Sequence, residues 1–126
     1  MLLCPFADQL IEYGEVRRAL LGVSIQAVDD ATSAAAAYFM VNCAHSDHFF
    51  HLLGDTPWGR RIRGVRCNAS RRSHAELDES CALDDGDPAE MGARYVELRR
   101  RMPWLAVFGG CCGTDDTYLR SLTANR

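Results

Sequence analysis

The 126-residue chain contains no lysine; all 14 of its basic residues are arginine. That excludes Schiff-base chemistry and a phosphate-loop lysine supplied by this chain. No apolar run approaches the roughly 20 residues of a membrane span, and no charged-then-apolar leader with a small-residue cleavage site opens the sequence. A cytoplasmic protein with no membrane partner is therefore expected. A net charge of -3 argues against a nucleic-acid partner on global grounds. Internal repeats are missing, and the only low-complexity stretch is Ala34-Ala35-Ala36-Ala37. The two-residue spacer between thiols that marks many structural zinc sites is missing too. Six cysteines without an export signal read as reduced thiols, metal ligands or core residues rather than as a disulfide framework.

What is present is an ordinary globular composition, 48% hydrophobic and 25% charged, in a length that makes residues 1–126 a single domain. The most unusual stretch is Gly109-Gly110-Cys111-Cys112-Gly113-Thr114, directly after the apolar run Leu105–Phe108. Adjacent cysteines reach disulfide geometry only with backbone strain. Two neighbouring thiols are better placed to hold one metal ion, and the flanking glycines let the backbone turn sharply. Thr114 followed by Asp115 and Asp116 predicts a helix N-cap with acids in the first turn.

Elsewhere the pattern alternates between strand and helix. Residues 7 to 21 fit a helix only loosely because Gly14 interrupts them, and Ser24 to Ala31 is a better helix with Ser24 as its cap. Ala37 to Val41 is a short continuous apolar run, as expected of a strand buried on both faces, and it ends in Asn42-Cys43. Ser46 to Leu53 predicts a short helix stopped by Gly54 and Pro57. Ile62 to Cys67 is a further strand, and Asn68 to Gly86 a long polar connection. Asp87-Pro88-Ala89-Glu90 combines a cap, a proline at the first helical position and a glutamate at the capping-box position. The apolar face that follows is Met91, Tyr95, Leu98 and Met102, ended by Pro103. Such β/α alternation implies an α/β fold with parallel strands, in which ligand-binding residues gather beyond the carboxyl ends of the strands.

Cys43 and the Cys111-Cys112 pair both fall at such strand ends. Zinc takes thiolates in tetrahedral geometry, and three protein ligands leave a fourth position for water or substrate. A substrate thiol in that position would be held as its thiolate, the better nucleophile, and alkyl transfer to sulfur follows naturally. The alternative is a buried core cysteine at 43 beside an incidental or redox pair at 111 and 112. Asn42 either orients ligand or substrate through its amide or merely caps the strand end.

The Cys111-Cys112 turn, the strand ending Val41-Asn42-Cys43-Ala44-His45, and Asn68-Ala69 between them resemble the homocysteine S-methyltransferase family. The resemblance runs from about Ala27 to Leu122, and residues 1–25 match it poorly. It implies that this chain corresponds to the last three β/α units of an incomplete (β/α)8 TIM barrel, and so to a truncated fragment. In that family the cysteine after the asparagine and the two consecutive cysteines bind zinc, and homocysteine's sulfur completes the tetrahedron. By motif position these roles fall on Cys43, Cys111 and Cys112. The family's methyl donors include betaine, S-methylmethionine and cobalamin-delivered methylfolate. Two positions depart from its pattern: Ser46 stands where a proline is common, and Tyr118 where a histidine is usual.

An open parallel sheet leaves apolar edges and an uncovered face, so a homo-oligomer or a complementing chain is expected over them. The alternative function is a non-catalytic zinc-binding or interaction module completed by such a partner. His45, His48 and His51 recur every three residues, but a place on or at the start of a helix accounts for them better than a second metal site. The arginine run from Arg60 to Arg72 is expected to be neutralised within the fold by the acids from Glu76 to Asp87. Ser73 and Glu76 fit a capping box, Cys67 a strand core, and Cys4 and Cys81 have no partner pattern.

Overall fold

The computed structural model describes residues 2–3, 14–72, 76 and 86–124. Ser73, Cys4, Cys81 and most of the acids from Glu76 to Asp85 lie outside these residues. In chain order the elements are β1 (Leu2–Leu3), α1 (Gly14–Thr32), β2 (Phe39–Ala44), α2 (Ser46–Phe49), β3 (Ile62–Cys67), α3 (Pro88–Arg101), β4 (Val107–Gly110) and α4 (Asp116–Ala124). Single 3-10 turns at Phe50–Leu52 and Gly59–Arg61 complete the connection from α2 to β3.

The strands form one parallel sheet in the order β1-β2-β3-β4. Three strands alternating with helices are those expected from the sequence, and the two-residue β1 beside β2 is an addition. Ladder rows separate the two faces of the sheet. Val41, Val65 and Phe108 share one row, while Met40, Gly64 and Val107 share another, followed by Asn42, Arg66 and Gly109. The Val41 row faces the helices: Val65 is fully buried, and Tyr95 of α3 packs edge-on against Phe108 with ring centroids 5.5 Å apart. No helix among the described residues is long and apolar enough to cross a membrane.

α3 starts where the local signals place it. Asp87 accepts hydrogen bonds from Ala89 N at 2.8 Å and Glu90 N at 3.2 Å, and Pro88 occupies the first turn, where its missing N–H costs nothing. Met91, Tyr95, Leu98 and Met102 are all buried, as their spacing predicts. The capping box is only half used, because Glu90 turns outward to pair with Arg71.

α1 departs from expectation. It is one helix of 19 residues, and Ser24 lies in its interior rather than capping it. The reason is tertiary: Leu21, Ile25 and Val28 lie on one stripe facing the core, with Ile25 only 1% exposed. Gly22 brings the helix against Trp58, where a Cβ would sit 2.7 Å from the indole Nε1. Burial of that stripe outweighs the local preference of serine for a helix end.

Among the described residues, three members of the arginine run, Arg60, Arg61 and Arg71, form ion pairs, and their acids lie outside the stretch from Glu76 to Asp87. Arg61 forms a two-pronged ion pair with Asp29 at 2.7 and 2.8 Å, and Arg60 pairs with Asp55 at 2.6 and 2.9 Å. Arg71 pairs with Asp47 at 2.8 Å and with Glu90. These acids come from α1, the α2–β3 connection, α2 and α3, which chain folding brings beside the arginines.

Candidate metal centre

Cys43 reaches its position through an irregularity in β2. Asn42 pairs with Arg66 and Ala44 with Cys67, so Cys43 is an extra residue inserted between two rungs of the ladder. It takes a left-handed backbone with φ of 58°. Such bulges re-aim a side chain, and the unusual conformation costs on the order of 1–3 kcal/mol for a residue with a Cβ. Here the bulge brings the Cys43 sulfur to 3.0 Å from that of Cys111, in a thiol–thiol contact.

The second half of the centre is a turn fastened at several points. Cys111 N–H donates to Cys67 O at 2.8 Å and so extends the β3–β4 ladder by one step. Asn68 Oδ1 accepts from Cys112 N–H at 3.2 Å, and Ala69 N–H donates to Cys112 O at 3.0 Å. Thr114 closes the turn by donating its hydroxyl to Cys111 O at 2.7 Å. Gly110 is required there, because a Cβ would lie 2.1 Å from the Thr114 oxygen. The expected cap shifts by one residue: Asp115 Oδ1 accepts from Thr117 N–H at 2.9 Å and caps α4, since Thr114 is engaged with the turn.

The sulfurs of Cys43, Cys111 and Cys112 all lie within 4.8 Å of one another. Three ligands at zinc–sulfur distances of about 2.3 Å and tetrahedral angles would stand roughly 3.8 Å apart, inside the range spanned by this group. The donor set and its spacing therefore fit zinc. None of the three is disulfide-bonded, and Cys112 is exposed while the other two are half-buried. Burial opposes ionisation of Cys111, but hydrogen bonding from the Cys43 thiol and the Cys112 backbone outweighs it and holds the pKa below the ordinary thiol value. Burial and the neighbouring Cys111 charge raise that of Cys112. Cys111 is thus the first of the pair to ionise. Cys67 is different in kind: burial pushes its thiol up to about 12, which makes it a protonated core residue, as its strand position predicted.

His45 belongs to the helix and not to the thiol group. Its Nδ1 accepts from Asp47 N–H at 3.2 Å and caps α2. The group of candidate ligands among the described residues contains no histidine. Asn42 is 3% exposed, and neither of its amide atoms has a hydrogen-bond partner among the described residues, so it caps no strand end there. Sequence reasoning named Asn68 only as part of the family motif and Arg66 only as one of a basic run, and gave neither a place at this rim, where Asn68 clamps the thiol turn and Arg66 lies beside Asn42. Asn68 had a usable signal, being an amide directly after a strand end. A groove of about 710 Å³ lined by Tyr95, Val96, Arg99, Leu105 and Leu122 lies apart from the thiols and includes none of them.

A family model for homocysteine S-methyltransferase matches residues 8–125. The chain belongs to the homocysteine S-methyltransferase family. The family match includes all three sulfurs and extends N-terminal to the stretch that carries the resemblance by motif. Membership gives the chain a function of the homocysteine S-methyltransferase type, in a family of zinc-binding methyltransferases whose substrates are homocysteine and a methyl donor. No curated protein and no solved structure matches the chain.

Proposed function

We propose that the chain is a zinc-dependent homocysteine S-methyltransferase, with Cys43, Cys111 and Cys112 as the metal ligands and homocysteine as the thiol substrate. The observation that carries this reading is the convergence of three sulfurs within 4.8 Å at two strand ends of a chain from that family. Bound zinc supplies Lewis acidity, lowering the pKa of a thiol in its fourth position from about 8.5 so that the thiolate is present at neutral pH.

The chain's own residues do the rest. The Cys43 bulge and the Asn68 clamp hold the sulfurs in place before any metal arrives, which lessens the ordering cost of binding. Asn42 offers an unpartnered donor and acceptor to the polar end of the substrate, and we assign it to substrate binding. In the net reaction the thiol proton is exchanged for a methyl group: a carbon–sulfur bond forms, the donor's bond to methyl breaks, and its electron pair leaves with the donor. Homocysteine becomes methionine. Reduced thiols are consistent with a cytoplasmic setting.

Zinc content after purification without chelator tests the metal assignment. Stoichiometric zinc in the parent, lost in Cys111→Ser, is expected, and a parent protein free of metal would overturn the assignment. Methionine formation with betaine, S-methylmethionine and methylfolate donors tests the reaction separately. A second reading has its own support, since Val107 on β4 is 37% exposed and β4 has no outer neighbour among the described residues. In that reading the chain is a zinc-binding module whose sheet is completed by a second copy or another chain. Zinc without methyl transfer, in an assembly larger than a monomer by light scattering, is its signature.

A further inference from the structure

One arginine lies at the metal rim without the carboxylate partner that several others have. Arg60, Arg61, Arg71, Arg94 and Arg120 each reach a carboxylate. Arg66 is exposed and has no acidic partner among the described residues; its one hydrogen bond is from Nε to Gly110 O at 3.1 Å. Its stem runs beside Gly109, where a Cβ would lie 3.4 Å from the Arg66 Cγ. Because Gly109 has no side chain, the arginine can lie along β4 toward Cys111, the residue directly after its hydrogen-bonding partner.

The ladder places Arg66 in one row with Asn42, on the face away from the helices. This rim therefore joins three functional groups: thiols that can hold a metal, a buried amide and a cation, the amide without a hydrogen-bond partner and the cation without a counter-ion among the described residues. A guanidinium recognises a carboxylate through two parallel hydrogen bonds, and its Nε bond to Gly110 still leaves the terminal nitrogens free to donate. Homocysteine carries a carboxylate three carbons from its sulfur, within reach of a side chain as long as arginine.

We infer that Arg66 is the residue that binds the α-carboxylate of the thiol substrate and gives the site its preference for an amino-acid thiol. This inference rests on the reading of the thiol cluster as a homocysteine site. Arg66 does not touch the reacting atoms. It fixes the substrate's far end while the sulfur enters the cluster, and the Asn42 acceptor lies in the same row for the ammonium group.

Calorimetric titration of the zinc-loaded chain with homocysteine and with 3-aminopropane-1-thiol, which keeps the thiol and amine but lacks the carboxylate, tests the assignment. The parent is expected to bind homocysteine roughly tenfold or more tightly than the aminothiol, as charge-assisted hydrogen bonds to a carboxylate imply. Arg66→Gln should lose that preference while keeping its zinc and its affinity for the aminothiol, and Arg66→Lys should keep part of it. An Arg66→Gln protein with the parent's preference overturns the role of Arg66 and leaves the homocysteine reading standing. A zinc-loaded parent that binds neither thiol overturns both. Should Arg66→Gln fail to fold by circular dichroism, the parent's own ratio and Arg66→Lys decide, and a parent without preference for homocysteine overturns the inference.

Discussion

On one face of the sheet, Val41 and Val65 are buried and Phe108 packs against Tyr95; on the other, Val107 is 37% exposed and Arg66 lies along the open surface. The covered face is the ordinary interior of an α/β protein, where removal of apolar area from water is the main stabilising term. The other face holds the polar residues nearest the thiols, a buried Asn42 beside an exposed Arg66. Folding and site chemistry are thus divided between two faces of the same strands. Tyr95 joins them: its hydroxyl accepts from Cys67 N–H at 3.0 Å and donates to Gly109 O at 2.7 Å, which ties α3 to the strand that delivers Cys111.

If this division holds, damage to the covered face should lower stability without altering the metal centre of molecules that remain folded. Leu98 is fully buried, and Leu98→Ala is expected to cost about 2–5 kcal/mol in urea denaturation, with zinc affinity under native conditions unchanged. A parallel loss of zinc affinity would break the comparison. Tyr95→Phe sharpens it, because the link between the faces is lost while the ring remains. Leaving Cys67 N–H and Gly109 O without the hydroxyl should cost about 1–3 kcal/mol, and a simultaneous drop in zinc affinity would locate the coupling at this residue.

The open side makes the opposite prediction at Cys43. Both Cys43→Gly and Cys43→Ala should abolish stoichiometric zinc binding. The left-handed backbone at this position suits glycine, so the glycine variant should be more stable than the alanine variant by about 1 kcal/mol in thermal melts. Equal stability would show that the bulge relaxes once the sulfur is gone.

The smallest effect concerns pH and His45. Burial holds the His45 imidazole below its ordinary pKa of 6.5, against the opposing charge of Asp47. The unfolded chain therefore takes up this proton at higher pH than the folded one, so stability is full above about 6.5 and falls as pH drops through the folded value. Protonation would also remove the Nδ1 acceptor that caps α2. Melts compared over roughly pH 7.5 to 5.5 should show a steeper decline for the parent than for His45→Asn, which keeps a capping acceptor without the titration. Because both proteins carry the same thiols, the pH dependence of metal binding cancels in the difference.

Much of this architecture was legible where the signals are local. The β3 limits, Ile62–Cys67, match the expectation from the sequence, and the start of α3 rests on Asp87 and Pro88, which act within one turn. Local reasoning failed where two nearby residues could serve the same purpose or where packing intervened. Asp115 caps α4 because Thr114 is held by Cys111, and Ser24 lies inside α1 because Ile25 and its stripe face the core. Arg71 was expected to be neutralised by the acids from Glu76 to Asp87, yet it pairs with Asp47 and with Glu90 just beyond that stretch, two acids from different helices that only the fold brings to one guanidinium.

The sequence by itself determined which residues carry the chemistry: a thiol after one strand, two after another, glycines to let the second pair turn, and an asparagine at the end of each of β2 and β3. Only the tertiary structure decided that these groups meet. Strand register and the bulge at Cys43 are properties of pairing between segments far apart in the chain. A one-residue slip would turn every side chain of β2 to the opposite face, so no local pattern could place the Cys43 sulfur beside Cys111, or set Arg66 in one row with Asn42.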